Sequence, residues 1–125
     1  MRNEALATVE RHFDDGSFRA DLARRVAIRS TAQVAEFRPE LHRYLADEIG
    51  PTLDELGYRW SIHDNPDPRG GPFLVGHRHE GPDRPTVLTY GHGDVVRGLD
   101  GEWDGGRDPW TLEVDGDRWY GRGTA

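Results

Sequence analysis

Cysteine is absent from these 125 residues, which excludes a disulfide framework and a thiol nucleophile. Lysine is absent too, since all 16 basic residues are arginine. Schiff-base chemistry and a P-loop lysine are therefore excluded within this stretch. No apolar run approaches the ~18 residues of a membrane span. The N-terminus, Met1-Arg2-Asn3-Glu4, is polar and lacks the apolar region of a signal peptide. A cytoplasmic protein with no membrane partner is the expectation. A basic footprint is missing as well: 16 cations against 23 acids leave a net charge of −7, which excludes a nucleic-acid partner.

What is present suits one domain or a piece of a larger one. The apolar share is about 44% when glycine is counted and tyrosine is not, just under the usual ~45–50%. Such a chain builds a core, though not a generous one. Residues 91–125 hold eight acids and four arginines. A region of that charge attracts a metal cation or simply forms a solvated loop face, and the second reading is the more general one.

Ala5, Leu6, Val9 and Phe13 recur at helical spacing until Asp14-Asp15-Gly16-Ser17 breaks the pattern. Ser17 is then expected to cap a second helix that carries Phe18, Leu22 and Val26 on one face. A third stripe, Phe37, Leu41, Leu45, Ile49, Leu53 and Leu56, predicts a long helix over residues 38–57. Pro51 must kink or split it, and Gly57 is a stop signal. Tyr58-Arg59-Trp60-Ser61-Ile62-His63 alternates like a strand. A second strand opens at Phe73 and runs to about His79, after a loop rich in proline and glycine. Residues 86–90 are almost continuously apolar, as a buried central strand should be. Asp115-Gly116, flanked by Leu112-Glu113-Val114 and Arg118-Trp119-Tyr120, signals a tight hairpin. Helices followed by strands, with a buried strand feeding a glycine-rich polar loop, place His92 and Asp94 where ligands bind in open α/β sheets.

His92-Gly93-Asp94 is the sharpest chemical feature. On an extended backbone, residues i and i+2 point the same way, so imidazole and carboxylate share a face. A histidine ligand to zinc commonly has a carboxylate that fixes its ring and tautomer. Gly91 and Gly93 permit unusual backbone angles and close approach. Taken alone, the pair is also a common polar loop arrangement. His77-Arg78-His79 is a rival metal candidate, although a solvent-facing position at the end of a strand accounts for it more simply. His12, His42 and His63 are isolated and read as surface histidines. Trp103, Trp110 and Trp119 crowd into seventeen residues. Packing of a long loop explains them better than a substrate-facing wall. Gly121-Arg122-Gly123 allows close backbone approach to a ligand or metal. It lacks the further glycines and helix of a dinucleotide site.

In combination, Pro85-Thr86-Val87-Leu88-Thr89-Tyr90-Gly91-His92-Gly93-Asp94-Val95, then Trp103, Asp108-Pro109-Trp110 and Trp119-Tyr120-Gly121-Arg122-Gly123-Thr124-Ala125, resemble the M20 family of zinc metallopeptidases and amidohydrolases. The segment from Arg38-Pro39-Glu40-Leu41 to Leu56-Gly57-Tyr58 looks like the long second helix of that family. The resemblance implies an α/β fold, with a mixed sheet flanked by helices. It makes residues 1–125 the N-terminal portion of a truncated catalytic domain, with the remainder and the lid domain absent. It implies that His92 is a zinc ligand and that Asp94 orients this ligand and supports catalysis. Gly93 departs from the family, where a side chain is common, and so does Trp110, where phenylalanine is frequent. In the family, the stretch matching residues 121–125 leads into a metal-bridging aspartate, which this sequence does not reach.

The implied reaction is metal-assisted hydrolysis of an amide bond in a small peptide or N-acyl amino acid. Two zinc ions are expected in a full-length member, with cobalt or manganese as substitutes and a homodimer as one assembly. The residues around His92 look closest to the dipeptidase-like branch. A catalytic zinc takes three protein ligands. With one recognisable ligand, this chain alone is expected to be inactive. Two other readings follow from the residues: a non-catalytic binding or interaction module, and a different metal site built from His77, His79 and His92 together.

Overall fold

The computed structural model describes residues 1–124. They form two compact units, Met1–Ala27 with the segment from Leu99 onward, and Ile28–Gly98.

The first unit opens with two helices, α1 (Arg2–Asp14) and α2 (Ser17–Val26). The expected stripe on α1 is present but uncovered. Leu6, Val9 and Phe13 are exposed and no α1 residue is buried. Ser17 does not cap α2. The cap position falls on Gly16, at a left-handed φ of 85°. The Asp15 carboxylate instead accepts the Ser17 backbone N–H at 2.9 Å, and hydrogen bonding from the Ser17 side chain and then from this N–H holds its pKa below the ordinary aspartate value. An Asp-Asp-Gly run before a helix thus lets the acid act as the acceptor while glycine takes the turn that a side chain disfavours.

Phe13, Phe18 and Trp119 join the helices to the predicted hairpin. Phe13 stacks on Trp119 with centroids 5.8 Å apart, and Phe18 lies 5.7 Å from the same ring. The hairpin pairs β1 (Glu113–Asp115) with β2 (Arg118–Tyr120). Gly116, at φ 58°, takes the first position of its two-residue loop. Trp110 is buried, and its indole N–H donates to Asp100 Oδ1 at 2.9 Å. Trp103 lies under the Arg122 guanidinium. All three tryptophans therefore pack, as expected.

In the second unit, the long helix runs as α3 (Arg38–Arg43), a π-helical stretch (Tyr44–Ile49) and α4 (Gly50–Glu55). Its apolar stripe explains the break. Steps of four residues drift by about 40° per step around an α-helix of 3.6 residues per turn. A wider π turn takes up that drift just before Pro51, whose nitrogen has no proton to donate. Leu41 is buried, while Leu45, Ile49 and Leu53 are half-buried; Leu56 falls off the stripe and is exposed. Gly57, at φ 77°, ends the helix, and Tyr58 N–H returns to the Leu53 carbonyl at 2.9 Å.

The antiparallel pair β3 (Arg59–His63) and β4 (Phe73–His77) follows, with Trp60 opposite Gly76 and Ile62 opposite Leu74. The indole of Trp60 lies against Gly50, where any Cβ would collide with it. Its N–H donates to Asp54 Oδ1 at 2.9 Å.

The central strand expected at residues 86–90 is not formed. Val87, Leu88 and Tyr90 are 78%, 95% and 90% exposed. Apolar composition gives a segment strand propensity, but a strand exists only when a neighbour takes its hydrogen bonds. No such neighbour stands beside residues 86–90 among the described residues. The mixed sheet is accordingly reduced to two antiparallel pairs and one parallel bridge, Thr31 to Val95. The result is a mixed α/β chain with small antiparallel sheets.

Two outcomes test this packing. Trp110→Phe keeps an aromatic ring but loses the rest of the indole and its bond to Asp100, and is expected to cost more than the ~0.5–1.5 kcal/mol of that bond alone in urea unfolding. Trp110→Ala is expected to cost about 3–5 kcal/mol. The second concerns acid. Partial burial raises the Asp21 pKa, but the Arg24 hydrogen bond and the charges of Arg24, Arg25 and His12 outweigh it and leave it lowered. The folded carboxylate therefore binds its proton more weakly than the unfolded one. Its stabilisation is complete above the unfolded value of about 3.9 and is lost as pH falls through the lower folded value. Asp21→Asn should flatten that acid limb in a series of thermal melts from pH 6 to pH 2.

Candidate functional site

The second unit carries His92 and Asp94, and three hydrogen bonds fix the backbone that presents them. Ser30 Oγ donates to the Gly93 carbonyl at 2.6 Å. Val95 N–H donates to the Ser30 carbonyl at 2.9 Å, and Ala32 N–H to the Val95 carbonyl at 3.2 Å. Ser30 and Thr31 are 2% and 1% exposed. The anchor is therefore buried, while the side chains it supports are open to solvent.

His92 Nδ1 lies 3.4 Å from Asp94 Oδ1 and 3.2 Å from the Asp94 backbone oxygen. The i, i+2 spacing has brought imidazole and carboxylate to one side, as expected. The contact with the carboxylate is an ion-pair distance. The shorter approach to the backbone oxygen suits a ring that keeps its proton on Nδ1 and leaves Nε2 as the free lone pair. The two side chains are 65% and 52% exposed.

The glycines around His92 do different things. Neither has a positive φ, so unusual backbone angles are not their role. A Cβ on Gly91 would meet open space, whereas one on Gly93 would run into the Tyr44 ring. Gly93 thus lets Tyr44, on the π-helical turn, pack directly against the backbone between the two polar residues. Ser30, Thr31 and Tyr44 are supports that sequence reasoning did not single out. A Ser-Thr pair 63 residues from its partner carries no local signal. A groove of about 600 Å³ adjoins the pair, with Leu45, Ile49, Leu53 and Leu74 in its wall and His92 and Asp94 also lining it.

Other candidates fall elsewhere. His77 and His79 lie at and just beyond the end of β4, with ring centroids 6.4 Å apart. Among the described residues, no three groups of the histidine, cysteine, aspartate and glutamate types come together as a metal site. His77, His79 and His92 therefore do not form one centre, and that reading is corrected. The reason is that β4 ends at His77 and a separate turn intervenes before residue 86. In the first unit, Arg122 N–H donates to the Pro109 carbonyl at 2.7 Å, and Gly121 lies where a Cβ would be 2.9 Å from Val26. The close approach allowed by Gly121 is thus used for packing. Ala125, the last residue of that motif, lies outside the described residues. No helix among the described residues is long and apolar enough to cross a membrane.

The fit to zinc is partial. One imidazole with a carboxylate at its Nδ1 side supplies the donor chemistry of one ligand position and its orienting partner. A catalytic zinc takes three protein ligands, and the described residues do not bring three such groups together.

The fold is similar to part of a known peptidase structure. The di-peptidase Dug1p from Saccharomyces cerevisiae superposes with a TM-score of 0.72 at 23% sequence identity, over 94% of this chain and 27% of that one. In sequence, the chain is 33% identical over 87 residues to a cysteinylglycine-S-conjugate dipeptidase from Corynebacterium striatum. That match takes in 69% of this chain and 18% of the relative's length. No family profile matches the chain. The likeness to dipeptidases is thus a partial one.

Gly93→Ala tests the anchor. The added methyl meets the Tyr44 ring, and the expected loss is about 1–3 kcal/mol of stability. Tyr44→Ala removes the obstacle, so the double variant should lose less than the sum of the two singles in a denaturation cycle.

Proposed function

We propose that this chain supplies one metal-ligand position of an M20-type, zinc-dependent dipeptidase. The observation that supports this reading best is the His92–Asp94 pair, 3.4 Å apart on a backbone tied to buried Ser30. His92 would hold the metal through Nε2. Asp94 would hold the ring in orientation from the Nδ1 side. When bound, zinc supplies polarisation of the scissile carbonyl and a water acidified toward pH ~7.

The remaining parts of the reading follow from the same assignment. The whole protein would hold two zinc ions, with cobalt or manganese as substitutes, and would cleave a dipeptide in preference to an N-acyl amino acid. It would work in the cytoplasm, with a homodimer as its assembly. Residues 1–125 would form the N-terminal portion of its catalytic domain. Alone they would be inactive, because one ligand and its orienting carboxylate cannot fix a catalytic coordination geometry. The Corynebacterium striatum relative guides the choice of substrate, since its name specifies cysteinylglycine S-conjugates.

A chimera tests this, with residues 1–125 replacing the corresponding stretch of that relative. It is expected to retain zinc and to hydrolyse a cysteinylglycine S-conjugate. The 125-residue chain by itself should show no hydrolysis. In the chimera, His92→Ala should remove activity and lower bound zinc. Asp94→Asn should reduce metal affinity or activity by about 10–100-fold. A folded chimera whose activity and zinc content survive His92→Ala would sink the proposal.

A further inference from the structure

His77 and His79 are not used by the site around His92, and their placement has a chemistry of its own. We infer that these two imidazoles form a separate chelating site for one divalent transition-metal ion, with copper(II) preferred. The inference is independent of the proposed peptidase function.

The two rings lie on one side of the chain at the end of β4, with centroids 6.4 Å apart and planes 20° from parallel. Both residues are exposed, so a hydrated ion reaches them without burying charge. Arg78, between them, is engaged elsewhere. It donates to the Leu56 carbonyl at 2.7 Å and pairs with Glu80, which neutralises the nearest cation. Pairing of His77 with Arg59 in the ladder fixes the backbone under the first ring. Arg59 is the charge that opposes binding, and the net charge of −7 favours it.

Imidazole nitrogen suits copper, nickel and zinc, and divalent affinity peaks at copper in the first transition row. Two nitrogens in adjacent positions at ~2.0 Å from an ion stand about 3 Å apart. The rings must therefore turn toward each other from their present separation. Exposed side chains do so readily, but the ordering costs affinity, which puts the site in the micromolar range. Water completes the coordination, consistent with no third donor group joining the pair among the described residues.

Titration of the chain with copper(II) chloride in a non-chelating buffer, read by electron paramagnetic resonance, tests the site. The expected result is one ion with the hyperfine pattern of two imidazole nitrogens and micromolar affinity. His77→Ala and His79→Ala should each weaken binding at least tenfold, with unchanged far-ultraviolet circular dichroism, and His63→Ala should leave it intact. His79→Gln gives the same readout with a side chain of closer size. Copper binding that survives the His77→Ala/His79→Ala double variant, or that disappears with His92→Ala, would overturn the inference.

Discussion

The bonds between residues 30–32 and residues 93–95 are the constraint on which the candidate site depends. Ser30 gives its hydroxyl proton to the Gly93 carbonyl and receives the Val95 N–H on its own carbonyl. The segment on either side of Gly93 is therefore held from beneath while residues 86–90 have no ladder partner among the described residues. Because Ser30 and Thr31 are buried, these bonds are partly shielded from competing water, which makes a hydrogen bond stronger and its loss more costly. His92 and Asp94 owe their shared orientation to this support as much as to their spacing.

Much of the local structure was legible in the residues. The positions of α1 and α2, the hairpin at residues 113–120 and the stop at Gly57 follow from periodicity and turn chemistry acting over a few residues. The exchange of roles at Asp15, Gly16 and Ser17 was not legible. Aspartate and serine both accept from the first turn, and which one does so depends on where the chain bends. The missing strand at residues 86–90 has a different cause. Its apolar pattern records a preference, while strand formation requires a partner that a local pattern does not specify.

The candidate site was legible to the same degree. Imidazole and carboxylate two residues apart on an extended backbone must lie on one side, and they do. What the spacing could not show was the origin of the glycine between them. Sequence pattern suggested unusual backbone angles, yet Gly93 is needed because the Tyr44 ring occupies the space of a side chain. That contact links residues 49 positions apart. The close approach of Trp60 to Gly50 is the same device with tryptophan in place of tyrosine, and it too was hidden from a local reading.

The π-helical turn at Tyr44–Ile49 has a consequence for how this helix tolerates change in length. A π turn is equivalent to an α-helix carrying one extra residue, so it works as a phase adjuster. Removing one residue within it would restore an ordinary helix and leave everything downstream facing nearly as it does, whereas removing one from the α-helical turn upstream would rotate everything downstream by about 100°. Leu53 and Gly50 would then leave the faces they share with β4 and Trp60. The helix is thus geared: its two halves are each regular, and the irregular turn between them sets the angle at which the second half meets Trp60 and Gly76 of the strand pair.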